Sequence, residues 1–535
     1  MNNTKKILFS LTLAAMSVTA VAQTSDAVLR DRMTDAVMKV YDEQLAKEPN
    51  DYNTLFARAH QHYYNGEYTS ALADVNQALL ITPATDSELR FDEYILRARI
   101  SDARKDYQSE LADLRMAQEL QPKSLPCTDL IAKANLKAGK LAEAEKAFKT
   151  ILRAESMNYD AMYGMAQVEL ARNNGDKAVD YATKAVDLFR AEPQVYENRA
   201  DIYARMGNID AAVGDLLQGM TVGNGGHAVE RLFELSDGNY DAVMRSLAAL
   251  SDKEAQNPMY RYLRANIAMD HQRYGQALRD FNYIRRNNLY NSHSVYYNIA
   301  KCNLELCRYD EALTNVDQAL SMDPSQPEYY MVKALAEFNA GEGNNYDAAM
   351  EALHRCSLIA PTYVPMLLAK AELLSAQGND QSALGYLNAA CGNEPDNAEA
   401  LLSRGLLLKK MDNLRLAVND FNTVTRLGGD DVYSLKGLAL QELGRDNEAL
   451  RWLQDITRTP LAGGDNFYYA AVFMAMRGDN FKAMEYLQKA VDNGYGSKFT
   501  LTDNKLPFIN LNNLRNEPEF PILVEKAMPN FIEKD

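Results

Sequence analysis

Small side chains return along this chain on a fixed beat, and that beat leaves few folds open. Ala144, Ala178 and Ala212 stand 34 residues apart, and so do Ala349, Ala383 and Ala417. Ala71, Ala242, Ala277, Ala312, Ala449 and Ala483 extend the series over most of the chain, with Glu110 the bulky exception. Twelve residues before most of these lies a second small residue: Ala59, Ala98, Ala132, Ala166, Ala200, Ala265, Ala300, Ala371, Gly405, Gly437 and Ala471. Seven residues after comes a looser third position, as in Ala78, Ala117, Ala185, Ala319, Ala390 and Ala490. A period of this length is one supersecondary unit, so the 535 residues are to be divided by repeats and not by average domain size.

The spacing has a mechanical reading. Two short helices per unit cross closely only where side chains are nearly absent, which is what the small positions supply. Val75, Phe148, Leu216, Phe281, Phe421 and Leu487 then fill the space between layers. Gly66, Gly139, Gly207, Gly378, Gly444 and Gly478 stand where the first helix must end and the chain turn back. Pro83, Pro122, Pro324, Pro361 and Pro395 keep the second helix from running on. Each unit buries its face only against the next.

The period, the small-residue spacing and the terminal proline resemble the tetratricopeptide repeat. Leu55, Ala59, Tyr64, Gly66, Tyr68, Ala71, Val75, Ala78 and Pro83 make one copy; Tyr297, Ala300, Tyr309, Ala312, Val316, Ala319 and Pro324 make another. The resemblance covers about residues 27–495 and implies an all-α fold, a right-handed superhelical solenoid of about thirteen helix-turn-helix repeats. Glu230 departs from it, standing where a small residue belongs, so the unit around Ala242 is the irregular one. GMTVGNGG, from Gly219 to Gly226, interrupts the array and divides it into arms of residues 51–224 and 225–495. A capping helix at 27–50 is expected before them and a cap at 496–535 after, where Pro507, Pro518 and Pro521 interrupt short helical pieces. Insertions at Ala84 to Phe91 and Gly341 to Asn345 are expected to lengthen loops only.

Lys5 and Lys6, the apolar run from Ile7 to Val21 and the small-x-small site Ala20-Val21-Ala22 read as a signal peptide over residues 1–22, cleaved between Ala22 and Gln23. Export to the periplasm or beyond the cell is therefore expected. No later stretch is long and apolar enough to span a membrane. With 57 basic against 73 acidic residues the net charge is −16, which repels nucleic acid and anionic lipid. The five cysteines carry no CxxC, and Cys356 and Cys391 are expected as buried single thiols.

Catalysis finds no support. His60 and His62, two apart on a helix, point about 200° from each other and cannot share a zinc ion. No nucleophile elbow, phosphate loop or HExxH motif is present. No cofactor or metal is expected, and the chain reads as a binder without turnover.

The resemblance implies that first helices line a concave groove. Three residues before the first small position that groove presents Phe56, Tyr163, Tyr262, Tyr297 and Tyr468, and four residues further on His60, Gln167, Asn266 and Lys301. Tyr faces with interspersed polar groups suit an extended peptide; the same rings are equally suited to packing between neighbouring helices. The Lys and Asn clamp by which some relatives hold a terminal carboxylate is absent, since Phe56 with His60 and Tyr297 with Lys301 occupy its register. The expected function is an exported scaffold that binds envelope or secreted proteins. The alternatives are a glycan- or nutrient-binding protein, whose sugars would stack on the tyrosines, and an accessory subunit of a secretion or cell-wall machine.

Overall fold

The computed structural model describes residues 37–223, 226–340, 345–427, 430–458, 463–495, 501, 508 and 511–527. Ala22 and Gln23 lie outside them, as does the insertion at 341–344. Among the described residues all regular structure is helical: hairpins follow one another from Tyr52–Tyr64 with Tyr68–Ile81 to Gly464–Met476 with Asn480–Asp492. The chain separates into two compact units, one ending at Ser246 and the other beginning at Leu247. Gly219 to Gly223, before the described chain resumes at Gly226, lie in the first.

Local chemistry sets the turns. The six glycines that close first helices all have positive φ, 69° to 79°. At each the following amide bonds five residues back, Glu67 to the His62 carbonyl at 2.9 Å and Asn379 to that of Leu374 at 2.8 Å, which satisfies carbonyls the helix end leaves open. Repeats without glycine hold the same conformation with Lys105, Asn173, Gln272, Cys307 and Asp412. An L side chain there costs roughly 1–2 kcal/mol. Lys105→Gly and Asp412→Gly are therefore each expected to stabilise the fold by about 0.5–1 kcal/mol after the added freedom of the unfolded glycine is subtracted, read as a raised urea midpoint at constant slope.

The small positions work by contact. Ala59, Ala71, Ala132, Ala144, Ala300 and Ala312 are completely buried. At Gly405 and Gly437 a Cβ would fall among the ring atoms of Phe421 and Trp452. The expected fillers, from Val75 to Leu487, are all buried, and clusters such as Ala132, Ala144, Phe148, Ile151, Ala161, Met165 and Val168 bridge one hairpin and the next. Cys356 and Cys391 are buried and unbridged.

A second device recurs beside the first small residue. Arg58, Arg97, Arg199, Arg264 and Arg404 each precede it and grip an aspartate sixteen residues on, in the second helix of the same hairpin: Asp74, Asp113, Asp215, Asp280 and Asp420. The grip is two-pronged, with Arg404 Nε and Nη2 donating to the two Asp420 oxygens at 2.8 and 2.7 Å. All five aspartates are buried. Where the pattern changes, the partners change together: Lys370 places its ammonium 5.4 Å from the ring centre of Tyr386, also sixteen residues on.

Three departures have local causes. In the irregular unit around Ala242 the expected helix-turn-helix is replaced by one helix from Gly226 to Lys253, bent at Asn239 with φ −138° and ψ 31°, because no left-handed residue opens a turn there. The Ala84 to Phe91 insertion lengthens a helix and not only a loop: Asp86 caps Ser87–Ala103, accepting from the Leu89 amide at 3.2 Å. Pro521 does not interrupt its helix, Glu519–Ala527; it stands in the first turn, where its missing N–H would have had no partner in the helix. Buried Phe520 and Leu523 belong to this terminal helix.

Glu110 occupies the crossing point that alanine holds elsewhere. It is 5 % exposed, its Oε2 has no partner, and burial, with Asp102 adding to it, pushes its carboxyl up to about 7. A carboxyl raised in the folded state binds its proton more tightly there than in the unfolded chain. Stability is then full below the ordinary glutamate range and falls as pH rises from about 4.5 towards about 7. Glu110→Ala is expected to stabilise the first unit by about 1–3 kcal/mol at pH 8 and to flatten this dependence. Urea titrations at pH 5 and pH 8 check both.

Candidate functional site

The first helices of three successive hairpins, Leu125–Lys137, Tyr159–Ala171 and Pro193–Arg205, enclose a hollow of about 800 Å³ in the first unit. Of the residues expected in the groove, the structure places Tyr163 and Gln167 here. Lys133, Lys137, Gln194, Asn198 and Arg205 join them, with Leu136 and Leu170 as apolar floor. Lys133 stands at the same offset as Gln167, one residue after the small position, and the others were legible by stepping the groove face by further helical turns, to six and two residues before that position and five after it.

The hollow is electrostatically ordered. Tyr163 Oη donates to Asp201 at 2.7 Å. Asp201 also meets Arg205 at 3.2 Å and, from the helix beginning at Gly226, Arg231 at 3.6 Å. Burial, then the neighbouring Asp201, pushes the Tyr163 phenol up, so it stays a donor. Lys133 pairs with Asp129 at 2.6 Å and Lys137 with Asp102 at 2.5 Å, so the cations are held at fixed places along the wall. Gln194 Nε2 donates to Asn198 Oδ1 at 3.1 Å, which orients that carboxamide with its NH₂ left to donate. A smaller hollow of about 260 Å³, lined by Glu197, Asp201, Arg231 and Glu234, adjoins through Asp201.

The other expected groove residues are not gathered at this place. Phe56 and His60 are half-buried in the first hairpin, ring edge to face with centres 5.7 Å apart, and His60 meets the more exposed Tyr64 at 5.1 Å. Burial, then Arg99, holds the His60 imidazole below its ordinary range. Tyr262 is buried, edge-on to Phe281 at 5.6 Å, and accepts from Asn298 at 3.4 Å. Asn266 turns back to donate to the Tyr262 carbonyl at 2.7 Å. Tyr297 stacks on Tyr329 at 4.5 Å with Lys301 one turn further along the same helix, and Tyr468 is buried in a parallel stack with Tyr495. The rings of Tyr262 and Tyr468 are thus taken up between elements of the second unit.

Four stretches match the family model described as tetratricopeptide repeat: residues 130–193, 165–223, 262–314 and 304–355. A TPR repeat-containing protein of Methanocaldococcus jannaschii is 23% identical over 437 residues, covering 79% of this chain and 72% of that protein. DnaJ homolog subfamily C member 7 of Homo sapiens is 25% identical over 293 residues, and those residues span 49% of this chain and 58% of the relative, less than two thirds of its length. Among solved structures, yeast Tom70 aligns with 77% of this chain and 98% of its own at 17% identity and a TM-score of 0.35. Cut9–Hcn1 of the APC/C aligns with 90% and 98% at 14% identity and a TM-score of 0.28. No helix among the described residues is long and apolar enough to cross a membrane.

Proposed function

From the premise that this chain belongs to the tetratricopeptide repeat family, whose members bind other proteins, we propose that it is an exported, non-catalytic scaffold holding an extended segment of another protein in the hollow of its first unit. The observation that carries this reading is the mixture of groups along that wall. The Asn198 amide is set to bond a peptide carbonyl, Tyr163 and Leu170 offer surface to side chains, and Lys133, Lys137 and Arg205 offer charge. Many modest contacts along one strand suit affinity built without a single deep pocket. The leader with Lys5, Lys6 and Ala20-Val21-Ala22 supports export, and envelope or secreted proteins are then the partners within reach.

A photo-crosslinking residue at Gln167, compared with one at the exposed Leu80, tests this in the native cell. Protein adducts are expected at Gln167 and not at Leu80, and Asn198→Ala should reduce them several-fold with helical content unchanged. Equal adducts at the two sites would dismiss the hollow as the binding place, and loss of all adducts in excess soluble glycan would favour a sugar-binding protein.

A further inference from the structure

Gln272 and Asp465 are 193 residues apart in sequence, yet Gln272 Nε2 donates to Asp465 Oδ1 over 3.2 Å. Both belong to the second unit. Gln272 occupies the left-handed turn between Pro258–Asp270 and Tyr274–Arg286, the first full hairpin of that unit. Asp465 lies in the first turn of Gly464–Met476, which opens the last hairpin. Two more observations join the same places. A Cβ on Gly494, just beyond the final hairpin, would lie 3.6 Å from Arg273 Nη2. The buried Tyr274 hydroxyl is pushed up by burial first and then by acids that include Glu305 and Asp465, so it stands in the field of the last hairpin. Each hairpin turns a little from its predecessor; between Pro258 and Asp492 those turns accumulate until the coil meets itself.

We propose that the Gln272–Asp465 contact is a latch that closes the second unit into a ring, so that a partner segment reaches the inner face of this unit through the ring's open ends or after the latch parts. The Gln272–Asp465 bond is polar, on the surface and made between side chains, so it is suited to opening without disturbing the backbone of either hairpin.

The test places nitroxide labels on the full chain at Gln276 and Asn466, in a Cys307→Ser background because the other four thiols are buried. That choice leaves both latch residues in place. A narrow distance distribution within about two helix diameters, ~20 Å, is expected. Asp465→Lys should broaden and lengthen it, whereas Asp465→Asn, which keeps an acceptor oxygen, should not. Gln272→Ala serves as the second opening variant should the lysine fail to fold by circular dichroism. A starting distance beyond about three helix diameters, ~30 Å, or a distribution that neither opening variant alters, would overturn the latch.

Discussion

Asp420→Ala is expected to destabilise the second unit by about 3–5 kcal/mol, among the largest effects a single surface-distant carboxylate can produce here. Asp420 is 2 % exposed and receives both prongs of Arg404. Removing it leaves a half-buried guanidinium with only Asn388, at 3.3 Å, for company. The penalty is that of a stranded cation, not of a lost attraction, and this makes the prediction specific. Replacing both partners, Arg404→Met with Asp420→Leu, is expected to restore most of the loss, because an apolar pair of similar bulk has nothing left unpaired. Urea unfolding of the single and double variants checks this. An Asp420→Ala protein within about 0.5 kcal/mol of the parent would show that the recurring ion pairs are surface ornaments.

The recurrence of that pair also explains what could and could not be read from the residues alone. Gly66 to Gly478 announce their turns because a left-handed residue at a fixed offset has one backbone use, and all six adopt it. The small positions were equally legible, since a missing side chain at a crossing is a steric necessity that every repeat must meet. The Arg–Asp grip was not, although its spacing of sixteen is constant where it occurs. It is one of several solutions to the same local problem: Met165 with Tyr181 and Lys370 with Tyr386 occupy the same places, so no single residue type repeats often enough to stand out.

The groove shows the same limit more sharply. Tyr163 and Tyr262 have the same offset from a small residue and different fates. Tyr163 is drawn out along the hollow by Asp201, one repeat ahead. Tyr262 is pressed against Phe281 and capped by Asn298. The decision lies in neighbours on other helices, 36 to 38 residues away, which periodicity within one helix does not weigh. The fused helix Gly226–Lys253 follows from a signal that was present: Glu230 replaces the small residue, and Gly238 stands one position later than the turn glycines do relative to their alanines.

Ala312→Trp is the harsher perturbation and bears on the register from which every other assignment proceeds. Ala312 is completely buried in a cluster with Ala300, Leu304, Val316, Ala319 and Tyr329, on the helix Tyr309–Met322 where it crosses His293–Glu305. An indole is far larger than the methyl group it would replace at this fully buried crossing, so the two helices are expected to separate. Overpacking by a few methylenes already costs about 1–3 kcal/mol, and the whole ring is expected to exceed that range. Because each hairpin is held chiefly by its neighbours, the loss should remain local: amide exchange is expected to accelerate across the adjoining hairpins, Pro258–Arg286 and Pro327–Ile359, while the first unit keeps its protection. Ala312→Gly, which removes bulk at the same place, should cost only about 1 kcal/mol of helix propensity. A tryptophan variant that unfolds at the parent's temperature, or one that loses protection uniformly along the chain, would mean that the crossing is not made by this residue.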